Sequence, residues 1–272
     1  MGQARLPVRK IREVLRLKAD GFSDRQIAAL KSLVPSLALA AKCASLAQIA
    51  ETLVETYLGR DAGRRVLTGR IARGVADRIG AVLWFSDLRG FTRITDTAPT
   101  EQVIPLLNDY AEAVISAIHE QGGEVLKLIG DGTLAIFQAD DPARACRCAL
   151  EAQALARQRV AALNERRAAL GLPLTQVYLG LHVGEVFYGN IGSQGRLDFT
   201  VVGPAVNEVA RIAAMCRSAE RDVLLSPAFA AAAREEDRAT FVSVGRYALR
   251  GVGRAQELFT LEREVGGLDR RG

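Results

Sequence analysis

Two aspartates stand where packing has little use for them. Asp87 closes the apolar run Ala81-Val-Leu-Trp-Phe85 within Phe85-Ser-Asp-Leu-Arg-Gly-Phe-Thr92, and Asp131 sits in the tight turn of Leu126-Lys-Leu-Ile-Gly-Asp-Gly-Thr133. Hard divalent cations such as Mg²⁺ take oxygen ligands and are usually held by one or two carboxylates plus substrate phosphates. Two carboxylates converging on one point suit two-metal phosphoryl chemistry, with ions roughly 4 Å apart. Singly, each aspartate has a plainer use: Asp87 as a helix N-cap, Asp131 as half of an Asp-Gly hairpin turn.

Both must be positioned by strands. The pattern predicts a strand at 81–86, a helix at 100–121, strands at 124–129 and 133–138, a helix at 141–170 and a strand at 175–183. This β-α-β-β-α-β order is the ferredoxin-like split βαβ arrangement, an α/β (α+β) class. A C-terminal extension follows: a Gly-rich stretch at 184–195, a strand near 199–202, a helix at 205–217, a strand at 222–226 and a hairpin near 245–261.

The first 80 residues read differently. They carry 15 Lys/Arg against 7 Asp/Glu, whereas residues 81–272 carry 21 against 24. A basic head on a mildly acidic body implies two units with different tasks. The head is expected to be all helical. A helix at 8–18 stops at Asp20-Gly21, Ser23 caps a short helix at 24–30, Pro35 breaks it, and a longer amphipathic helix at 37–58 ends at Gly59. The division expected is a helical segment at 1–35, a helical linker or transducing segment at 36–78, a catalytic domain at 79–264 and a tail at 265–272.

Hydrophobic content of 49% and charged content of 25% describe an ordinary soluble protein. The longest apolar stretch, 33–41, is short for a membrane span and is followed by Lys42. No signal-peptide pattern opens the chain. No membrane span and a cytoplasmic location are therefore expected. Cys43, Cys146, Cys148 and Cys216 lack zinc-type spacing and read as reduced, incidental thiols.

Four further residues join the aspartates. Lys127 lies four before Asp131, and Thr200, Asn207 and Arg211 fall in Asp198-Phe-Thr-Val-Val-Gly-Pro-Ala-Val-Asn-Glu-Val-Ala-Arg211. Asn207 and Arg211, spaced i, i+4 on a predicted helix, share a face. From about residue 79 to 261 the chain resembles the catalytic domain of class III nucleotidyl cyclases, the adenylate and guanylate cyclase family. The resemblance rests on the motifs above together with Gly180-Leu-His-Val-Gly-Glu-Val and Gly189-Asn-Ile-Gly, which occur in family order and spacing.

The resemblance implies a cyclase fold and a site in which Asp87 and Asp131 hold two Mg²⁺ or Mn²⁺ ions. It implies that backbone amides around Gly90, Phe91 and Thr92 cradle phosphate oxygens at a helix N-terminus. Arg211 would stabilise charge on the α-phosphoryl group and Asn207 would orient the ribose. Lys127 and Thr200 would select the base: a lysine donor and a hydroxyl acceptor match ring N1 and the 6-amino group of adenine, and guanine reverses both. Thr200 also resembles the subclass that includes bicarbonate-responsive enzymes. Arg250 falls near the family's triphosphate-contacting lysine. In this family the aspartates come from one subunit and the other residues from its partner, which implies a homodimer with ATP as substrate. The resulting expectation is an adenylate cyclase; the alternatives are a guanylate cyclase and a catalytically quiet nucleotide-binding regulatory module. Gly122-Gly-Glu124 suggests the diguanylate cyclases, but no Phe follows it and the hairpin turn is Gly130-Asp-Gly132.

Residues 8–31 resemble the opening of helix-turn-helix domains of the transposase-helper type, and their charge suits nucleic-acid phosphates. A recognition helix should follow soon after Ala28, yet Pro35 and an apolar stretch come next. A dimerisation or signal-coupling segment, meeting an upstream regulatory partner, is the favoured reading over nucleic-acid contact. His182 reads as a satisfied core histidine, and His119 as a complement to a helix C-terminal dipole.

Overall fold

The computed structural model describes residues 8–138, 140–249 and 255–262. The chain divides into two compact units, Met1–Val54 and Glu55–Gly272.

The first unit opens with helix α1 (Val8–Ala19) and continues into helix α2 (Asp24–Leu58). Ser23 caps α2 as expected: its hydroxyl accepts from the Gln26 amide, and the Gln26 side chain accepts from the Ser23 amide at 2.9 Å. That reciprocal pair is a capping box. Pro35, however, does not break the helix. Its missing N–H costs one bond of the ladder, and the Ala- and Leu-rich flanks carry helix through it. The separate recognition helix that base reading requires is therefore not formed after Ala28. Continuity also changes the hydropathy reading. By length and composition alone, α2 is long and apolar enough to cross a membrane, with a mean hydropathy of 1.5 over its best window.

The second unit begins with the end of α2 and helix α3 (Arg60–Leu67), and then strand β1 (Ala76–Leu88). Helices α4 (Phe91–Thr97) and α5 (Thr100–Glu120) lead to strands β2 (Glu124–Ile129) and β3 (Gly132–Phe137). Helix α6 (Pro142–Ala169) returns the chain to β4 (Val177–Ser193), β5 (Arg196–Val202) and helix α7 (Pro204–Met215). Strand β6 (Val223–Leu225), helices α8 (Pro227–Ala232) and α9 (Glu235–Arg238), and strands β7 (Phe241–Tyr247) and β8 (Gln256–Leu261) complete the described chain. The sheet order is β2-β3-β1-β4-β6-β8-β7, with β5 hairpinned onto β4. Its first four strands have the ferredoxin-like order, and the fold class is as expected.

Strand β4 runs ten residues past its predicted end because glycines let neighbours approach where side chains could not. A Cβ on Gly189 would lie 2.2 Å from the Val75 carbonyl oxygen, and one on Gly180 would lie 2.7 Å from the backbone of Val209 and of Ala213 on α7. β1 and β4 thus pair from Ala76↔Gly189 to Leu88↔Val177.

Alternation along β1 divides the core between two faces. Val82 and Trp84 pack with Tyr110, Val114 and Cys146 under α5 and α6. Ala81 and Leu83 pack with Leu126, Tyr188, Phe199 and Val209, on the face covered by α3, β5 and α7.

Candidate active site

Asp87 is the penultimate residue of β1 and shares the parity of Leu83 and Phe85, so it faces the α7 side of the sheet. The register Ser86↔Thr133 brings the β2–β3 turn beside it. Gly130, at φ 63°, supplies the left-handed residue the turn requires. Asp131 then meets Asp87 side chain to side chain. Burial, followed by the hydrogen bond and negative charge of Asp131, pushes the Asp87 carboxyl up to about 7. A half-buried carboxyl beside a second carboxylate keeps its proton to near neutrality, as Asp87 does. A divalent cation satisfies the same pair without the proton, so the donor set fits one. Among the described residues no group of three or more metal-type side chains forms. The two carboxylates would therefore leave most of a cation's coordination to water and substrate oxygens, as Mg²⁺ prefers.

Gly90 stands at φ 76° as the N-cap of α4, directly after this strand. The first-turn amides of Phe91 and Thr92 have no acceptor within the helix. They begin four residues after Asp87.

Lys127, exposed on β2, is ion-paired with Asp198 on β5. Asp198 and Thr200 flank the buried Phe199 and lie on the same side of the strand. Asp198 was missed by sequence reading: a contact 71 residues away leaves no local signature, although alternation about Phe199 marks it as Thr200's neighbour. Asn207 and Arg211 lie on α7, which Pro204 starts at its first position. Neither side chain makes a hydrogen bond or ion pair with another described residue. The plain pairing of Arg211 with Glu208 is not formed, because Glu208 accepts from Gln256 Nε2 at 2.8 Å. The residues thus gather as three groups. Asp87 meets Asp131, and Lys127 joins the strand of Thr200, but no described hydrogen bond or ion pair links one set to the other or to Asn207 and Arg211. Arg250 lies outside the described residues.

His182 is buried, with Nδ1 2.9 Å from Ser226 Oγ. Burial lowers its pKa, and Glu208 partly opposes this. It is the satisfied core histidine expected. His119 departs from expectation. Burial and the nearby Arg60 lower its pKa, and Nε2 is buried without a partner, so it is a neutral ring and not a cationic complement to α5. Among the described residues all four cysteines are free thiols, with Cys146 and Cys216 buried.

Residues 76–263 match the family model described as the adenylate and guanylate cyclase catalytic domain. The chain belongs to this family. An adenylate cyclase of Anabaena cylindrica is 32% identical over 157 residues, 56% of this chain and 30% of that protein. The structure of a bacterial light-regulated adenylyl cyclase superposes with a TM-score of 0.67 at 24% identity, covering 90% of this chain and 66% of that one. The guanylyl cyclase Cya2 superposes at 0.58 and 29% identity, covering 68% and 93%. The chain spans between 30% and 38% of the length of the curated relatives it first matches.

Proposed function

We propose that this cyclase-family chain is an adenylate cyclase, converting ATP to 3′,5′-cyclic AMP and pyrophosphate. The observation that carries the reading is the Asp87–Asp131 pair, held so close that one carboxyl keeps its proton to about pH 7. Such a pair is poised to exchange that proton for a divalent cation. Asp87 and Asp131 would hold two Mg²⁺ or Mn²⁺ ions, which when bound supply Lewis-acid activation of the 3′-hydroxyl and neutralisation of the triphosphate.

The chain's own residues do the rest by position and charge. The amides of Gly90, Phe91 and Thr92 bind phosphate oxygens. Asn207 orients the ribose so that the 3′-oxygen lies in line with the bond from the α-phosphorus to the departing pyrophosphate. Arg211, free of any described carboxylate, donates to the α-phosphoryl oxygens as charge builds there. Lys127 donates to ring N1, and Thr200 Oγ accepts from the 6-amino group.

The same reading takes the chain as a homodimer in which each site draws Asp87 and Asp131 from one subunit and the remainder from its partner, as the family resemblance implies. The catalytic unit acts on cytoplasmic ATP, and the head receives an upstream regulatory input. The test is turnover of ATP and GTP by the full chain with Mg²⁺ and with Mn²⁺, in wild type and Asp87→Ala. Cyclic AMP formation that exceeds cyclic GMP formation and is abolished by Asp87→Ala supports the reading. GTP preference would make the chain a guanylate cyclase, and full activity in Asp87→Ala would remove the metal assignment.

A further inference from the structure

Glu208 stands three residues before Arg211 on α7, the spacing at which a glutamate and an arginine are neighbours on a helix surface. Left to themselves the two would pair. Instead, Glu208 Oε1 accepts from Gln256 Nε2 at 2.8 Å, the one hydrogen bond the Glu208 side chain makes among the described residues. Gln256 is the first residue of β8 and shares the parity of Leu258, which packs with Ile212 of α7. Its strand is held in turn by the Tyr247↔Gln256 pairing with β7 and by the bond from Thr260 Oγ1 to the Val223 carbonyl at 2.8 Å.

Glu208 cannot easily do without that donor. Its side chain is only 20% exposed, and a mostly buried carboxylate without a donor is costly. His182 Nδ1 lies 3.9 Å from Oε1, but burial favours the neutral ring and Ser226 Oγ, at 2.9 Å, occupies the same nitrogen. Nor is α7 free to shift. A Cβ on Gly184 would lie 2.5 Å from that of Ala205, and one on Gly180 would lie 2.7 Å from the Val209 carbonyl oxygen, so the helix rests directly on β4. Without Gln256, a cation within reach is Arg211, one turn further along α7.

We propose that Gln256 is a positioning residue: by binding Glu208 it keeps that carboxylate off Arg211 and leaves the guanidinium free for the phosphoryl group. The use of the free guanidinium rests on the adenylate cyclase reading, whereas the restraint on Glu208 does not. Losing the amide strands a mostly buried carboxylate, enough to drive the Glu208–Arg211 pair to about a tenfold excess over the open form. The free fraction of Arg211 then falls to about a tenth, and every process that needs it slows in proportion.

The experiment reads that fraction in two ways on the full chain. One is cyclic AMP formation. The other is the rate at which phenylglyoxal, an arginine-specific reagent, modifies Arg211, followed by peptide mass spectrometry. Arg211 is partly exposed and so open to the reagent. Gln256→Met, close to glutamine in shape, should lower kcat about tenfold with the KM for ATP unchanged, because the lost contact is made in the transition state. It should slow modification of Arg211 by a similar factor. Glu208→Gln alone should leave both near wild type, since its amide oxygen still accepts from Gln256. Added to Gln256→Met it should restore both, since no carboxylate remains to capture Arg211. A merely structural loss would instead add the two defects. Gln256→Leu is a second variant, and thermal melts check that each is folded. Wild-type kcat and modification rate in both Gln256 variants, or defects that Glu208→Gln does not relieve, overturn the proposal. A wild-type chain that makes no cyclic AMP counts against the cyclase reading alone, because the modification rates still test the restraint.

Discussion

Asp198 on β5 holds Lys127 on β2 by a direct ion pair. The bond joins the lysine assigned to ring N1 to the strand that carries Thr200, so the two base-selecting side chains share one support. Both partners are nearly half exposed, and the pair adds little to stability. Its effect should be on orientation. Asp198→Asn is expected to raise the KM for ATP about tenfold with a smaller change in kcat, and to narrow the ATP-over-GTP preference. Steady-state kinetics with both nucleotides checks this. An unchanged KM for ATP would mean that Lys127 finds the base without Asp198.

The proton on Asp87 should make stability, and the proposed metal binding, depend on pH. Its carboxyl is pushed from an ordinary 3.8 up to about 7 by burial and then by Asp131. Between those values the folded chain holds a proton that the unfolded chain has lost. This group's contribution to stability is complete below the unfolded pKa and declines as pH rises to the folded one. Metal-free Asp87→Asn, which carries no charge to repel Asp131, should melt about 2–5 °C above wild type at pH 8 and show no such gain near pH 4. Below pH 7 a cation must displace the proton, so the apparent Mg²⁺ affinity should fall about tenfold per pH unit. Thermal melts across pH, with and without Mg²⁺, measure both effects. A melting difference independent of pH would show that Asp87 holds no such proton.

What the sequence disclosed and what it concealed divide along physical lines. Asp87 and Asp131 were legible because a carboxylate at a buried strand end has few structural uses, and their motifs have a fixed spacing. The strands and helices from 100 to 170 were legible because their periodicities are long and regular. Pro35 misled because local breaking power is set against the helix propensity of a whole apolar flank. The extension of β4 was hidden because Gly184 and Gly189 look like loop residues until the strand packed against them is known. Lys127–Asp198 was invisible for a different reason. It depends on β5 folding back over β4 toward β2, a tertiary event with no signature in either segment.

A second long-range contact fastens the start of the catalytic unit. The Arg65 guanidinium of α3 lies 5.0 Å from the Tyr188 ring centroid and 6.0 Å from that of Phe199. It also bonds Asp61 at 2.8 Å and Asp77 at 2.9 Å, and Arg70 shares Asp77. Phe199 sits between Asp198 and Thr200, so α3 is pinned to the strand that carries Thr200. Arg65→Ala should cost about 1–2 kcal/mol, from cation–π contact, the partly buried charge-assisted bond to Asp61 and the exposed one to Asp77. Urea unfolding should show a lower midpoint at unchanged slope. Arg65→Lys should recover only part of the loss, since an ammonium cannot reproduce the planar fork. Full recovery would reduce the clamp to simple charge attraction.

Complementation between inactive variants gives the most direct test of the proposed shared catalysis. In the proposed symmetric dimer Asp87→Ala would remove the metal half of both sites, and Arg211→Ala the phosphoryl half of both. Each variant alone should be inactive. In a mixed dimer one site contains both defects, and the other pairs the intact Asp87 of one chain with the intact Arg211 of the other. With free exchange at equal amounts, about half the dimers are mixed and each has one working site of two, so activity should return to about a quarter of wild type. The time course should follow subunit exchange and depend on protein concentration. If the mixture stays inactive while native mass spectrometry shows mixed dimers, both halves of each site belong to one chain.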